Sequence, residues 1–173
     1  MSEKIVDYKK DRVEKWQKEN ILPERNIHFI GVDFSKKYQD NLFSKIQSIK
    51  GNKPSFILIE GVLFFLAREE INALFDFFHT VQKKEDYIGS VSYLPRIEKT
   101  KAFQNLVTFI NDKVFKASDS DFQMIEDTFY TSMQSYALVD RQDYFSLSKI
   151  YKNRINQSSE LILNENFYVM RKR

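Results

Sequence analysis

Apolar positions along this chain recur with two periods, one near 3.6 and one near 2, and the two alternate. Residues 3–19 contain few helix breakers and place Ile5, Val6, Val13 and Trp16 roughly on one face, which predicts an amphipathic helix. Ile27 to Val32 is rich in β-branched and aromatic residues and predicts a strand with Asp33 at its carboxyl tip. Residues 36–48 predict a helix with Tyr38, Leu42, Phe43 and Ile46 turned inward, ended by Gly51 and Asn52. Phe56-Ile57-Leu58-Ile59 follows Pro54 as an unbroken apolar run, the pattern of a strand covered on both faces. Glu60 stands at the end of that run, and Gly61 allows a turn there without a Cβ clash.

Further along, Ile71, Leu74, Phe75 and Phe78 fall at i, i+3, i+4 and i+7, predicting a helix over 69–82. Tyr87 to Tyr93 reads as a strand closed by Pro95. Residues 99–115 carry Phe103, Val107, Ile110 and Val114 on one stripe. Residues 121–131, with Phe122, Ile125 and Phe129, read as a shorter helix. Strands are expected at 134–140 and 161–170, the latter around Leu161, Leu163, Phe167 and Val169. Residues 143–153 fit either type and lean to helix. Alternating strand and helix over most of the length points to a parallel sheet with helices on both faces, in one domain over 1–173.

Composition narrows the function classes. With 42% hydrophobic and 29% charged residues the chain has the make-up of a globular domain, and sixteen Phe and nine Tyr predict an aromatic-rich core. A net charge of +3 is too small to imply a nucleic-acid partner, and Arg171-Lys172-Arg173 reads as a solvated tail. The lack of Cys excludes disulfides and thiolate metal sites and suits a cytoplasmic location. Met-Ser-Glu-Lys opens without the apolar stretch of a signal peptide. The longest apolar window, Phe56 to Ala67, is too short to cross a bilayer, so no membrane partner is expected.

Candidate chemistry sits at two strand tips, Asp33 and Glu60. Such carboxylates either cap the following helix or accept hydrogen bonds from a ligand at the carboxyl edge of an open sheet. His28 and His79 form no pair and have no cysteine near them, so both read as structural and no metal site is expected. Ser90, Ser92 and Ser146 lack the context of a nucleophile elbow. None of the four Gly forms a nucleotide-type loop.

Several segments together resemble the leucine carboxyl methyltransferase family, which includes polyketide O-methyltransferases. Tyr8-Lys9-Lys10 with Arg12-Val13 is similar to the family's helix after its second strand. Asn26 to Phe34, ending Val32-Asp33-Phe34, is similar to its third-strand motif. Glu60-Gly61-Val62 followed by Phe65-Leu66 resembles its Glu-Gly-Val and Tyr-Leu. Leu163-Asn164-Glu165 before Phe167-Tyr168-Val169 resembles its closing strand. The likeness is thin over the whole chain and concentrated in residues 5–75.

The resemblance implies a class I methyltransferase, Rossmann-like and doubly wound, lacking its first two strands: an N-terminally truncated domain. It implies S-adenosylmethionine as cofactor, held by Asp33, Phe34, Glu60, Gly61 and Val62, with Asp33 beside the adenine. Asp33 and Glu60 would then face one cleft. The implied reaction is methyl transfer to a carboxylate or hydroxyl of a small-molecule or polyketide-like acceptor. The departures are the glycine-rich loop with its Asp and Arg, the ribose-gripping acid, Phe65 in place of Tyr, and Ala67 where a capping residue usually stands. No catalytic residue is named.

In the intact family the strand order is 3-2-1-4-5-7-6. Without strands one and two, the expected order is 3-4-5-7-6, with Ile27–Val32 moved beside Phe56–Ile59 and a homodimer contact added. The rival reading is a non-catalytic remnant of the fold that acts by association. A weaker third is an unrelated α/β protein.

Overall fold

A helix closes its own backbone hydrogen bonds, whereas a strand needs a neighbour, and this difference divides the chain. The computed structural model describes residues 3–34, 36–113 and 122–173. Two units part after Gly51, one of residues 1–51 and one of residues 52–173.

The first unit holds two helices, α1 (Glu3–Lys18) and α2 (Gln39–Lys50), joined by a segment without regular structure. The amphipathic pattern forms both helices as expected, yet neither buries a described residue. Ile5, Tyr8, Trp16, Phe43 and Ile49 are all exposed. Ile27–Val32, expected as a strand, is not one: the sheet has four strands and this segment is not among them. Its β propensity is a preference for a pleated, half-buried surface, and it gains nothing where no edge receives it. The expected pairing of this segment beside Phe56–Ile59 is therefore corrected.

The second unit is built on strands β1 (Phe56–Ile59), β2 (Tyr87–Ser92), β3 (Tyr136–Asp143) and β4 (Asn166–Lys172), in the order β1-β2-β4-β3. That matches the last four places of the expected order. β1 pairs parallel with β2 in register Phe56↔Tyr87 to Ile59↔Ser90. β4 runs antiparallel to both neighbours, with Gly89↔Val169 on one side and Leu138↔Met170 on the other. The sheet is thus mixed, where an all-parallel one was expected. β3 carries an irregularity between Leu138 and Asp140 that leaves Val139 unpaired and exposed.

Among the described residues four α-helices complete the unit: α3 (Arg68–Val81), α4 (Lys101–Lys113), α5 (Asp127–Thr131) and α6 (Tyr144–Ile150). α5 is shorter than the helix expected over 121–131, because Phe122 to Glu126 are irregular. Val114 and the remainder of the 99–115 helix lie outside the described residues. α3 starts at Ala67 without a side-chain cap, as its sequence implies. Glu70 Oε2 reaches back to accept the Ala67 N–H at 2.7 Å, half of a capping box.

One face of the sheet forms the core. Ile88 and Met170 are wholly buried there, beside Ile59, Ser90 and Tyr168. Tyr130 of α5 stacks on Tyr168 at 3.8 Å, and its hydroxyl lies 3.0 Å from both Ser90 Oγ and Ser92 Oγ. Phe75 of α3 meets Phe129 and Tyr130 edge-on. The opposite face carries Phe56 at 60% and Leu58 at 58% exposure, both leaning over Gly89 of β2. A Cβ on Gly89 would lie 2.8 Å from the far end of the exposed Phe56 ring, so a side chain there would push that ring aside.

Candidate functional site

β1, β2 and β3 point the same way and β4 the opposite way. The carboxyl ends of the first three and the amino end of the fourth therefore share one sheet edge. Open α/β sheets bind ligands at such an edge.

Glu60 is there, exposed, at the tip of β1. Gly61 follows with φ of +64°, a conformation that favours glycine, and turns the chain sharply away from the strand. Val62 is half-buried and leads into a short 3-10 turn, Leu63–Phe65. Phe64 fastens that turn: its ring stacks on Phe122 at 4.5 Å and meets Tyr93 and Phe103 edge-on. Phe64 O also accepts the Gln123 N–H at 3.0 Å. The aromatic cluster, completed by Ile97 and Ile110, therefore holds the Glu60–Val62 turn from its far side.

Polar groups that the sequence did not single out complete the edge. Tyr93, just past β2, donates to Glu165 Oε1 at 3.0 Å. Burial foremost, then the Glu165 charge and that hydrogen bond, push the Tyr93 phenol well above its ordinary value, so it remains a neutral donor. Arg96 Nη2 lies 3.0 Å from Asp143 Oδ2 and 3.2 Å from Asn166 Oδ1. Asn164 Nδ2 donates to Asp143 Oδ2 at 3.1 Å, while Asp143 Oδ1 accepts the Ser146 N–H at 2.8 Å and caps α6.

Burial pushes the Asp143 carboxyl up. The Ser146 N–H, Asn164, the Ser146 hydroxyl and the Arg96 charge together outweigh it and hold the carboxyl below its usual value. A depressed carboxylate stabilises the fold above its unfolded pKa, about 3.9, and that contribution is lost as pH falls through the folded value. Asp143→Asn is accordingly expected to lower the urea midpoint at pH 7 and to change less than the parent chain between pH 5 and pH 2. A variant with the parent's full acid dependence would contradict this.

Asp33 and Phe34 belong to the N-terminal unit. Asp33 Oδ2 is 3.2 Å from Lys36 Nζ, and Phe34 meets Tyr38 edge-on at 5.2 Å. Asp33 lines a small cavity of about 180 Å³ together with Lys36, Lys37 and Lys45. Three lysines around one carboxylate leave it poorly suited to a cationic group. Among the described residues no cluster of His, Cys, Asp and Glu could hold a metal ion, and no helix is long and apolar enough to cross a membrane.

Asp33 and Glu60 both fall within one stretch of similarity to known proteins. Residues 2–79 match the leucine carboxyl methyltransferase family. That match spans Asp33, Phe34, Glu60, Gly61 and Val62, and it bears out the resemblance read from the motifs. Tyr93, Arg96, Asp143 and Glu165 lie beyond it. A crystal structure of a candidate methyltransferase from Thermobifida fusca YX superposes with a TM-score of 0.51 at 12% identity. The alignment covers 92% of this chain but 59% of that one, so the chain spans little more than half of the neighbour's length. At this identity the likeness establishes the fold, a Rossmann-like α/β arrangement. No curated protein matches the sequence.

Glu60 is exposed at the carboxyl end of β1, and no ion pair among the described residues engages it. Sequence reasoning missed Arg96 and Asp143, although Asp143-Tyr144-Phe145-Ser146 carries the spacing of an N-cap and could have marked the end of β3.

Proposed function

We propose that the chain contributes the carboxyl-edge part of an S-adenosylmethionine-dependent O-methyltransferase acting on a small-molecule or polyketide-like acceptor. The supporting observation is the Glu60-Gly61-Val62 turn, which lies inside the family match and ends a parallel strand. Bound there, the cofactor would supply an electrophilic methyl group. The chain's own contribution is a carboxylate opposite the positive charge, a turn fixed by the Phe64 cluster, and a polar edge from Tyr93 to Asp143.

A carboxylate acceptor is ionised at neutral pH and needs no base, so positioning would supply most of the rate. A hydroxyl acceptor would need one. Glu165 stands on the same edge, but its Oε1 already accepts from Tyr93, which favours the carboxylate acceptor. A cytoplasmic setting suits a chain without cysteine.

The chain alone is expected to bind S-adenosylmethionine weakly, with a Kd near or above about 1 mM, equivalent to about −4 kcal/mol. It offers Glu60 but no glycine-rich loop and no ribose-gripping acid, and hydrogen bonds to charged groups contribute about 1.5–3 kcal/mol each. An NMR titration with S-adenosylmethionine should move the amide signals of Glu60, Gly61 and Val62. Unmoved signals at saturating cofactor would overturn the proposed site, and micromolar affinity by calorimetry would overturn its incompleteness. An association module is the second reading, favoured by the uncovered apolar residues of α1, α2 and β1.

A further inference from the structure

The sheet edge opposite Glu60 has a cavity of its own. α3 starts beside the Glu60 turn and ends at that far edge, where Lys172 Nζ at the end of β4 donates to the carbonyls of His79 and Gln82. β3 begins at the same edge, with Tyr136 in register with Lys172. Between α3, α5 and the start of β3 lies a cavity of about 420 Å³. Every described residue that lines it belongs to the unit of residues 52–173. Its volume falls in the range of small-molecule sites, about 300–1,000 Å³.

The walls are aromatic and fixed from behind. Phe75, Phe129 and Tyr136 are all buried. The Tyr136 phenol donates to Gln82 Oε1 at 3.0 Å, and Gln82 Nε2 donates to Tyr87 O at 2.8 Å, which anchors the ring to β2. Phe75 and Phe129 brace each other edge-on at 5.3 Å. Met133 adds an adaptable apolar side chain. Phe129 already carries one cation over its ring, the Arg68 guanidinium at 4.4 Å from the centroid.

The remaining lining is polar and acidic. Asn72, Phe75 and Asp76 stand at i, i+3 and i+4 on α3 and so share one face. Among the described lining residues Asp76 alone is charged, and its carboxylate makes no hydrogen bond or ion pair with a described residue. Its charge is nonetheless felt across the cavity. Burial first, then Asp86 and then Asp76 raise the Tyr136 phenol above its ordinary value. Asn72 and Gln134 supply amide oxygens, and an ammonium has three N–H donors to place and no acceptor. An anion would meet the Asp76 carboxylate without a lining cation to offset it, and a neutral ligand would leave that carboxylate without a counter-ion.

We propose that this cavity binds an arylalkyl ammonium, with the aromatic group among Phe75, Phe129 and Tyr136 and the ammonium against Asp76. The site is set apart from the Glu60 turn by the length of the sheet, and the inference does not rest on methyl transfer.

NMR titrations of the full chain with three probes of one shape test it: phenethylamine, which is an ammonium at pH 7, neutral 2-phenylethanol and anionic phenylacetate. Phenethylamine should move the amide signals of Asn72, Asp76 and Gln134 to saturation, with a Kd at least about tenfold below that of 2-phenylethanol. Phenylacetate should bind more weakly than either. Asp76→Asn should bring phenethylamine down to the affinity of 2-phenylethanol and leave 2-phenylethanol unchanged, while Asp76→Glu should keep most of the preference. Unmoved signals at these three positions, equal affinity for all three probes, tighter binding of phenylacetate, or an Asp76→Asn chain that still prefers phenethylamine would each overturn the inference. None of these readouts involves S-adenosylmethionine, so they fail independently of the methyltransferase proposal.

Discussion

Asp86→Ala is expected to cost about 3 kcal/mol of folding stability, a large share of the roughly 5–15 kcal/mol typical of a domain. Asp86 is 2% exposed and sits in the tight turn ahead of β2, beside Glu85 at φ of +72°. Its Oδ1 accepts the Ser55 N–H at 3.0 Å, and its Oδ2 accepts the Ser55 hydroxyl at 2.7 Å and the Lys83 N–H at 3.0 Å. The Asp86 carbonyl accepts the Lys172 N–H at 2.8 Å. One residue therefore ties together the approach to β1, the end of α3 and the end of β4. Alanine leaves two backbone donors and a hydroxyl without their acceptor in a partly buried place. Asparagine keeps one acceptor and turns its amide toward donors, so Asp86→Asn should fall between alanine and the parent. Urea unfolding at constant m-value measures this, and a loss under about 1 kcal/mol for alanine would contradict it.

Hydrogen exchange should divide the molecule at Gly51. Amides of α1 and α2 are expected to exchange at least about a hundredfold faster than those of β2 and β4. Isolated helices of about 12–15 residues are marginal in water, and in proteins the packing of an apolar face supplies most of their stability. α1 has sixteen residues and α2 twelve, and neither buries a described side chain. The exposed pairs Lys10–Glu14 and Lys15–Glu19 add only tenths of a kcal/mol each. In the second unit Ile88 and Met170 are fully buried at the centre of a ladder paired on both sides. Equal protection in the two units would show that residues 1–51 gain cover that the exposure of Trp16, Phe43 and Ile49 denies.

Helix-period stripes were the most legible part of the sequence. Ile71, Leu74 and Phe75 are buried as their spacing predicts, and α1 to α4 lie close to their expected places. The Phe56–Ile59 run was legible for the same reason, being short, apolar and bounded by Pro54 and Gly61. Strand direction was not, because alternation along β4 is the same whichever way its neighbours run. The failure at Ile27–Val32 has a related origin, since its residues favour a strand but nothing local supplies the partner. Glu60 could be read from its break in an apolar run. Arg96, Asp143, Tyr93 and Glu165 meet only through the sheet order, and each by itself looks like an ordinary turn residue.

The position of β4 between β2 and β3 has a consequence for synthesis. β4 follows every other strand in the chain, so the ribosome releases β1 with β2, and later β3, before the piece that joins them exists. Until Asn166–Lys172 emerges, β2 and β3 each present an unpaired inner edge in a crowded cell. A frameshift or early stop past residue 165 would spare the Glu60 turn and every helix of the second unit. It would still split the sheet in two, which makes the final codons of this stretch among the least tolerant of loss.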